Sequence, residues 1–93
     1  MGPMRLLVNI FGPDVKVRQE VSLALVSSSL CDVLAALRAQ CRAPLEQFLR
    51  DDLSPAEGAA ILVNGRNMLS LDMIGTTIRD GDELTFTVMV AGG

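Results

Sequence analysis

The chain has 93 residues, 49% of them hydrophobic and 20% charged, which excludes a disordered polymer and fits a single packed domain. A chain this short buries little more than ~60% of its unfolded surface, leaving no room for a deep active site between two lobes. Eight basic residues stand against eleven acidic ones, a net charge of −3 with no histidine, which excludes the basic stripe that nucleic acid requires.

The first predicted element is the apolar run Met4–Phe11, with Leu6, Val8 and Ile10 on one face and Leu7, Asn9 and Phe11 on the other. Gly12-Pro13-Asp14 is turn chemistry. A second strand is predicted over Glu20–Val26, where Val21, Leu23 and Leu25 alternate with polar or small residues. Together the two runs form an antiparallel hairpin with a longish loop.

Ser29-Leu30-Cys31-Asp32 has the spacing of a capping box and predicts a helix start. Leu30, Val33, Leu34, Leu37 and Cys41 follow at helical spacing and make one apolar face. Pro44 ends this helix and opens a short second one over Pro44–Leu53, with Leu45, Phe48 and Leu49 inward. Arg38, Arg42 and Arg50 are assigned to solvated faces, with a partner patch as the alternative.

Ser54–Ala59 is a loop, and Asn64-Gly65 between Ala60–Val63 and Arg66–Ser70 predicts a tight hairpin, because both turn residues tolerate positive φ. After a connection over Met73–Arg79 comes the turn Asp80-Gly81-Asp82. The last strand, Glu83–Val90, alternates Leu84, Phe86, Val88 and Val90 inward with Thr85, Thr87 and Met89 outward.

Several functions are excluded by what is missing. No run approaches the ~18 apolar residues of a membrane span. Leu6–Phe11 is interrupted by Asn9 and lacks a small-residue cleavage site, so it is not read as a signal peptide. A cytoplasmic protein with no membrane partner is expected. Cys31 and Cys41 lie ten apart in one predicted helix and point to different faces, so they are read as small buried or half-buried residues and not as a bridge. With no histidine and no C-x-x-C, no metal site is expected. Intrinsic catalysis is not expected either, since the commonest general base and every Ser-His or Cys-His pair are absent.

The order of strand, strand, helix, short helix, strand hairpin and last strand makes an α+β domain, with the helix packed across one face of a mixed sheet of about four to five strands. This order resembles the β-grasp, ubiquitin-like fold. Ile61-Leu62-Val63-Asn64-Gly65, the turn Asp80-Gly81-Asp82-Glu83-Leu84 and the closing Val90-Ala91-Gly92-Gly93 are similar to the bacterial sulfur carriers of the MoaD/ThiS family. The order of elements extends the resemblance over nearly the whole chain, while its specific motifs lie in the final third. It implies a β-grasp domain over 1–90 and a flexible Gly-Gly tail over 91–93. It also implies a carrier and not an enzyme, with no cofactor bound of its own.

Two glycines at a chain end suit such chemistry. They lack Cβ, thread a narrow channel and adopt backbone angles that other residues avoid. The backbone carboxylate of Gly93, ionised at neutral pH with a reference pKa of about 3.5, is a poor electrophile until it is transferred to a nucleotide phosphate. A sulfur nucleophile can then displace the nucleotide and leave a thiocarboxylate.

The resemblance therefore implies Gly93 as the reactive residue and Gly92 and Ala91 as its arm. It implies an ATP-using adenylating enzyme of the ubiquitin-activator type (MoeB or ThiF) as one partner. As the other it implies the large subunit of molybdopterin synthase (MoaE type). Pro44–Leu53 and Ala91 favour the MoaD branch, whose acceptor pathway builds the molybdenum cofactor. Many MoaD-like tails carry Pro-Pro before the Val-x-Gly-Gly end. Here Val88-Met89 stand instead, which makes the last strand more regular.

Thr85, Thr87 and Met89, on the strand leading into the tail, are candidate partner contacts, with ordinary solvent-side residues as the alternative. The acidic second half, −5 over residues 51–93 against +2 over 1–50, suits a basic partner surface or plain solvation of loops. Three other functions remain open: a ThiS-like carrier for thiamin thiazole or another pathway, a ubiquitin-like protein modifier, and an interaction domain with an inert tail.

Overall fold

Side chains alternate across a strand, so the sheet begins from the run whose alternate residues are largest and most apolar. In a computed structural model of the chain, described over residues 4–12, 16–24, 28–41, 43–68 and 75–88, that run is β1 (Met4–Phe11). It is followed in chain order by β2 (Lys16–Leu23), β3 (Ser28–Ser29), α1 (Leu30–Cys41), α2 (Ala43–Glu46), β4 (Ala59–Val63), β5 (Arg66–Asn67), β6 (Thr77–Ile78) and β7 (Glu83–Val88). The five-stranded sheet has the order β2-β1-β7-β4-β5. Its central pair is parallel, running from Leu7↔Glu83 to Phe11↔Thr87, and its other pairs are antiparallel. The α+β architecture expected from the order of elements is the one observed.

One face of the sheet is covered. Leu6, Val8 and Ile10 of β1, Val21 and Leu23 of β2, Ile61 of β4, and Leu84 and Phe86 of β7 meet Leu30, Val33, Leu34 and Leu37 of α1 in a single core. Each such side chain contributes about 1.5–3 kcal/mol on full burial. Helix α1 starts where the capping pattern places it, with the Asp32 N–H donating to Ser29 Oγ at 3.2 Å. Cys31 and Cys41 are free thiols, both half-buried, and burial raises the Cys41 pKa above its ordinary value.

Some boundaries differ from the sequence expectation. Strand β2 begins at Lys16, four residues before Glu20, because pairing with β1 continues to Phe11↔Lys16. The added residues are mostly polar and exposed, as suits the open edge of a sheet. Leu25 and Val26, like Pro13 and Asp14 of the first turn, lie outside the described residues. So does Arg42, whereas Arg50 is exposed as expected.

The second helix is one turn long, Ala43–Glu46, and not Pro44–Leu53. It ends at Glu46, and two features make the remainder of the expected span non-helical. The Asp52 carboxylate accepts from Ser54 N–H at 3.0 Å and Ser54 Oγ at 2.6 Å, closing a local turn. Leu53 takes φ 71, outside any right-handed helix. Leu45, Phe48 and Leu49 nevertheless enter the core as predicted.

The Asn64-Gly65 hairpin forms as expected, with φ 51 and φ 85 at its two turn residues. Its second strand is Arg66–Asn67; Leu69 and Ser70 lie outside the described residues. The short pair β3–β6 was not anticipated. Its strands of two residues are below the reach of periodicity, yet it buries Ile78 completely.

Candidate functional site

Strand β7 is the element that the sequence assigns to carry the reactive end, and three sets of contacts fix its root. The Asp80-Gly81-Asp82 turn, with Gly81 at φ 91, binds β1: Arg5 N–H donates to Asp80 Oδ1 at 2.7 Å, and Gly81 N–H donates to the Arg5 carbonyl at 2.7 Å. Asp82 closes the turn by accepting from Arg79 N–H at 2.9 Å. Asn64 of the hairpin donates through Nδ2 to Asp82 Oδ1 at 3.1 Å. These two loops thus act together as structural clamps, as their turn chemistry suggested.

Register then assigns side chains to the face that no helix covers. Leu7↔Glu83, Asn9↔Thr85 and Phe11↔Thr87 are paired across β1 and β7, and Leu62↔Thr85 and Ala60↔Thr87 across β4 and β7. Thr85 and Thr87 therefore project where the sequence placed them, and both are half-buried among these neighbours.

The same face holds a residue whose importance sequence reasoning missed. Asn9 is 3% exposed and is the buried polar residue of the described core. Its Nδ2 donates to Glu83 Oε2 at 2.8 Å and to Thr85 Oγ1 at 3.1 Å. Its Oδ1 is buried without a hydrogen-bond partner. Such an orphan costs about 1–3 kcal/mol. The available signal was a lone polar residue in the middle of an apolar strand.

Val88 differs from its expected inward position. It lies opposite Ala59 and keeps the alternation of Leu84 and Phe86, but it is 38% exposed. Met89, Val90, Ala91, Gly92 and Gly93 lie outside the described residues.

Elsewhere, a surface cleft of about 360 Å³ is lined by Arg38, Glu46, Leu49 and Asp51. Arg38 is not simply solvated there: its Nη1 donates to the carbonyls of Arg50 at 3.2 Å and Asp51 at 3.4 Å, tying α1 to the segment after α2. Of the residues singled out from sequence, Arg38, for which a partner patch was the alternative to a solvated face, lines this cleft, whereas Thr85 and Thr87 do not. Among the described residues no group of three or more Cys, Asp or Glu side chains is placed to hold a metal, and no helix is long and apolar enough to cross a membrane.

The geometry is shared with solved structures. SAMP1 from Haloferax volcanii superposes with a TM-score of 0.64 at 23% identity, over 96% of this chain and 99% of its own. The solution structure of the Haloferax volcanii HVO 2177 protein gives 0.63 at 26% identity, over 99% of this chain and 89% of its own. A crystal structure of H. volcanii small archaeal modifier protein 1 gives 0.62 at 22% identity, over 94% and 99%. The fold is the ubiquitin-like β-grasp. No family model matches the chain, and no curated protein matches it.

Proposed function

We propose that the chain is a sulfur carrier whose Gly93 carboxylate is adenylated and then converted to a thiocarboxylate that donates sulfur in molybdopterin biosynthesis. The observation that supports this reading is a β-grasp body, rooted at both loops beside β7, on a sequence that closes in Ala91-Gly92-Gly93.

The chemistry has two steps. The Gly93 carboxylate attacks the α-phosphorus of ATP in a ubiquitin-activator-type enzyme, forming an acyl-adenylate and releasing pyrophosphate. Sulfide attacks the acyl carbon and expels AMP, leaving the thiocarboxylate. The chain supplies the carboxylate and a rigid handle. The partner supplies ATP and the reacting environment. In the acceptor enzyme, of the molybdopterin synthase large-subunit type, the thiocarboxylate is the nucleophile.

A second reading is favoured by the names of two of the structural neighbours, which are modifier proteins of an archaeon. In it, the same acyl-adenylate leads to an isopeptide bond between Gly93 and a lysine. Both readings require the free Gly93 carboxylate. Pyrophosphate release by a ubiquitin-activator-type enzyme, measured with the full chain and with Gly93 deleted, tests that shared step. Release is expected with the first and not with the second. Equal release from both would overturn the proposal. Lysine conjugates in the native cell would select the modifier reading over the carrier one.

A further inference from the structure

We propose that the uncovered face of the sheet receives a cationic side chain, an arginine or lysine of the adenylating partner, on the Glu83 carboxylate, with Asn9 as the residue that positions that carboxylate. The inference deepens the carrier reading above and rests on it for the identity of the partner.

Asn9 is unfavourable for folding the isolated chain. A carboxylate can only accept, so the bond to Glu83 Oε2 identifies the nitrogen end of the Asn9 amide. The oxygen end is then the atom left buried and unpaired. An apolar residue of similar size would remove that orphan and suit a strand whose neighbours Val8 and Ile10 are fully buried. Residues that break local consistency in this way are found where a structure serves function. What Asn9 secures in return is one fixed position for Glu83.

Glu83 is itself unusual. It is half-buried, and its Oε2 accepts from Asn9 Nδ2. Arg18 stands opposite Asn9 on the same face, yet it makes no ion pair with Glu83. Oε2 is occupied by Asn9, which leaves Oε1 for an incoming donor. Leu7 lies beside Glu83 in register, and Leu62 beside Thr85, so a docking partner would exclude water around the carboxylate. Attraction for a cation strengthens as that water leaves. A donor-only group with an apolar stem fits this arrangement, and arginine and lysine have that form.

The test is calorimetric binding of the full chain to the host's ubiquitin-activator-type adenylating enzyme, at low and high ionic strength. Glu83→Gln keeps an acceptor for Asn9 and removes only the charge. It is expected to weaken binding about tenfold and to flatten the salt dependence. Asn9→Leu is expected to weaken binding in the same direction while its melting temperature equals or exceeds that of the wild type, a combination that a merely structural role would not produce. Wild-type affinity in Glu83→Gln would overturn the inference, as would absence of wild-type binding. Pyrophosphate release is followed in the same samples. If wild-type chain binds but none is released, the carrier reading fails separately. If release persists while Glu83→Gln binds normally, only the present inference fails.

Discussion

Asn64 and Glu83 are joined by a reciprocal pair of hydrogen bonds: the Asn64 N–H donates to the Glu83 carbonyl at 2.8 Å, and the Glu83 N–H donates to Asn64 Oδ1 at 2.9 Å. The hairpin turn thereby holds the first residue of the strand that leads toward Gly93. Asn64 can do so because its φ of 51 is one that asparagine tolerates better than most residues.

Asn64→Ala removes the side-chain half of this clasp and places a residue without a stabilising side chain at positive φ. Urea unfolding is expected to show a loss of about 1–3 kcal/mol. Asn64→Asp keeps an acceptor for Glu83 but replaces the donor to Asp82 with a second carboxylate. Urea unfolding at neutral pH should therefore show it to be less stable than the wild type.

Leu34 is fully buried beneath the sheet. Leu34→Ala is expected to lower stability by about 2–5 kcal/mol, read from the denaturation midpoint at unchanged slope. Ser29→Ala, which removes the acceptor for the Asp32 N–H, should cost about 1 kcal/mol.

Arg38 bridges α1 to the carbonyls of Arg50 and Asp51. Arg38→Met retains much of the aliphatic packing and removes the donors. Amide exchange should accelerate over residues 50–54 and remain unchanged in β1 and β7, with a global loss of about 1 kcal/mol.

The Asp52 carboxyl is held below its ordinary pKa by hydrogen bonds from the Ser54 hydroxyl and N–H. A carboxyl depressed in the folded state stabilises above its unfolded pKa, and that stability is lost as pH falls through the folded value. The local turn at Asp52 should therefore open at acid pH, below the ordinary aspartate value of 3.8. Ser54→Ala should move the Asp52 titration, followed by NMR, back toward that value.

Where one face of an element was strongly apolar, the sequence was legible. Leu6, Val8 and Ile10, the leucines and Val33 of the α1 stripe, and Leu84 with Phe86 all lie in the core, with Cys41 half-buried against it, and Asn64-Gly65 made the turn its chemistry dictates. The failures share a cause: tertiary context overrode a local pattern. Pairing with β1 drew Lys16–Glu20 into a strand despite its polarity. The chain after Glu46 pairs back on itself, with Leu49 bridging to Pro55, and the second helix stays one turn long. Val88 kept its alternation but is exposed. At the site, Thr85 and Thr87 were legible from alternation, but the link from Asn9 to Glu83 was not, since it joins residues 74 positions apart.

The central claim is that Gly93 carries the reactive carboxylate, and intact-protein mass spectrometry tests it most directly. The chain is incubated with a ubiquitin-activator-type enzyme, ATP and a sulfur donor, beside a chain lacking Gly93. The account predicts replacement of one oxygen by sulfur, localised to Gly93, in the full chain and no change in the shortened one. Sulfur incorporation that survives deletion of Gly93, or a full chain that stays unmodified, would contradict it.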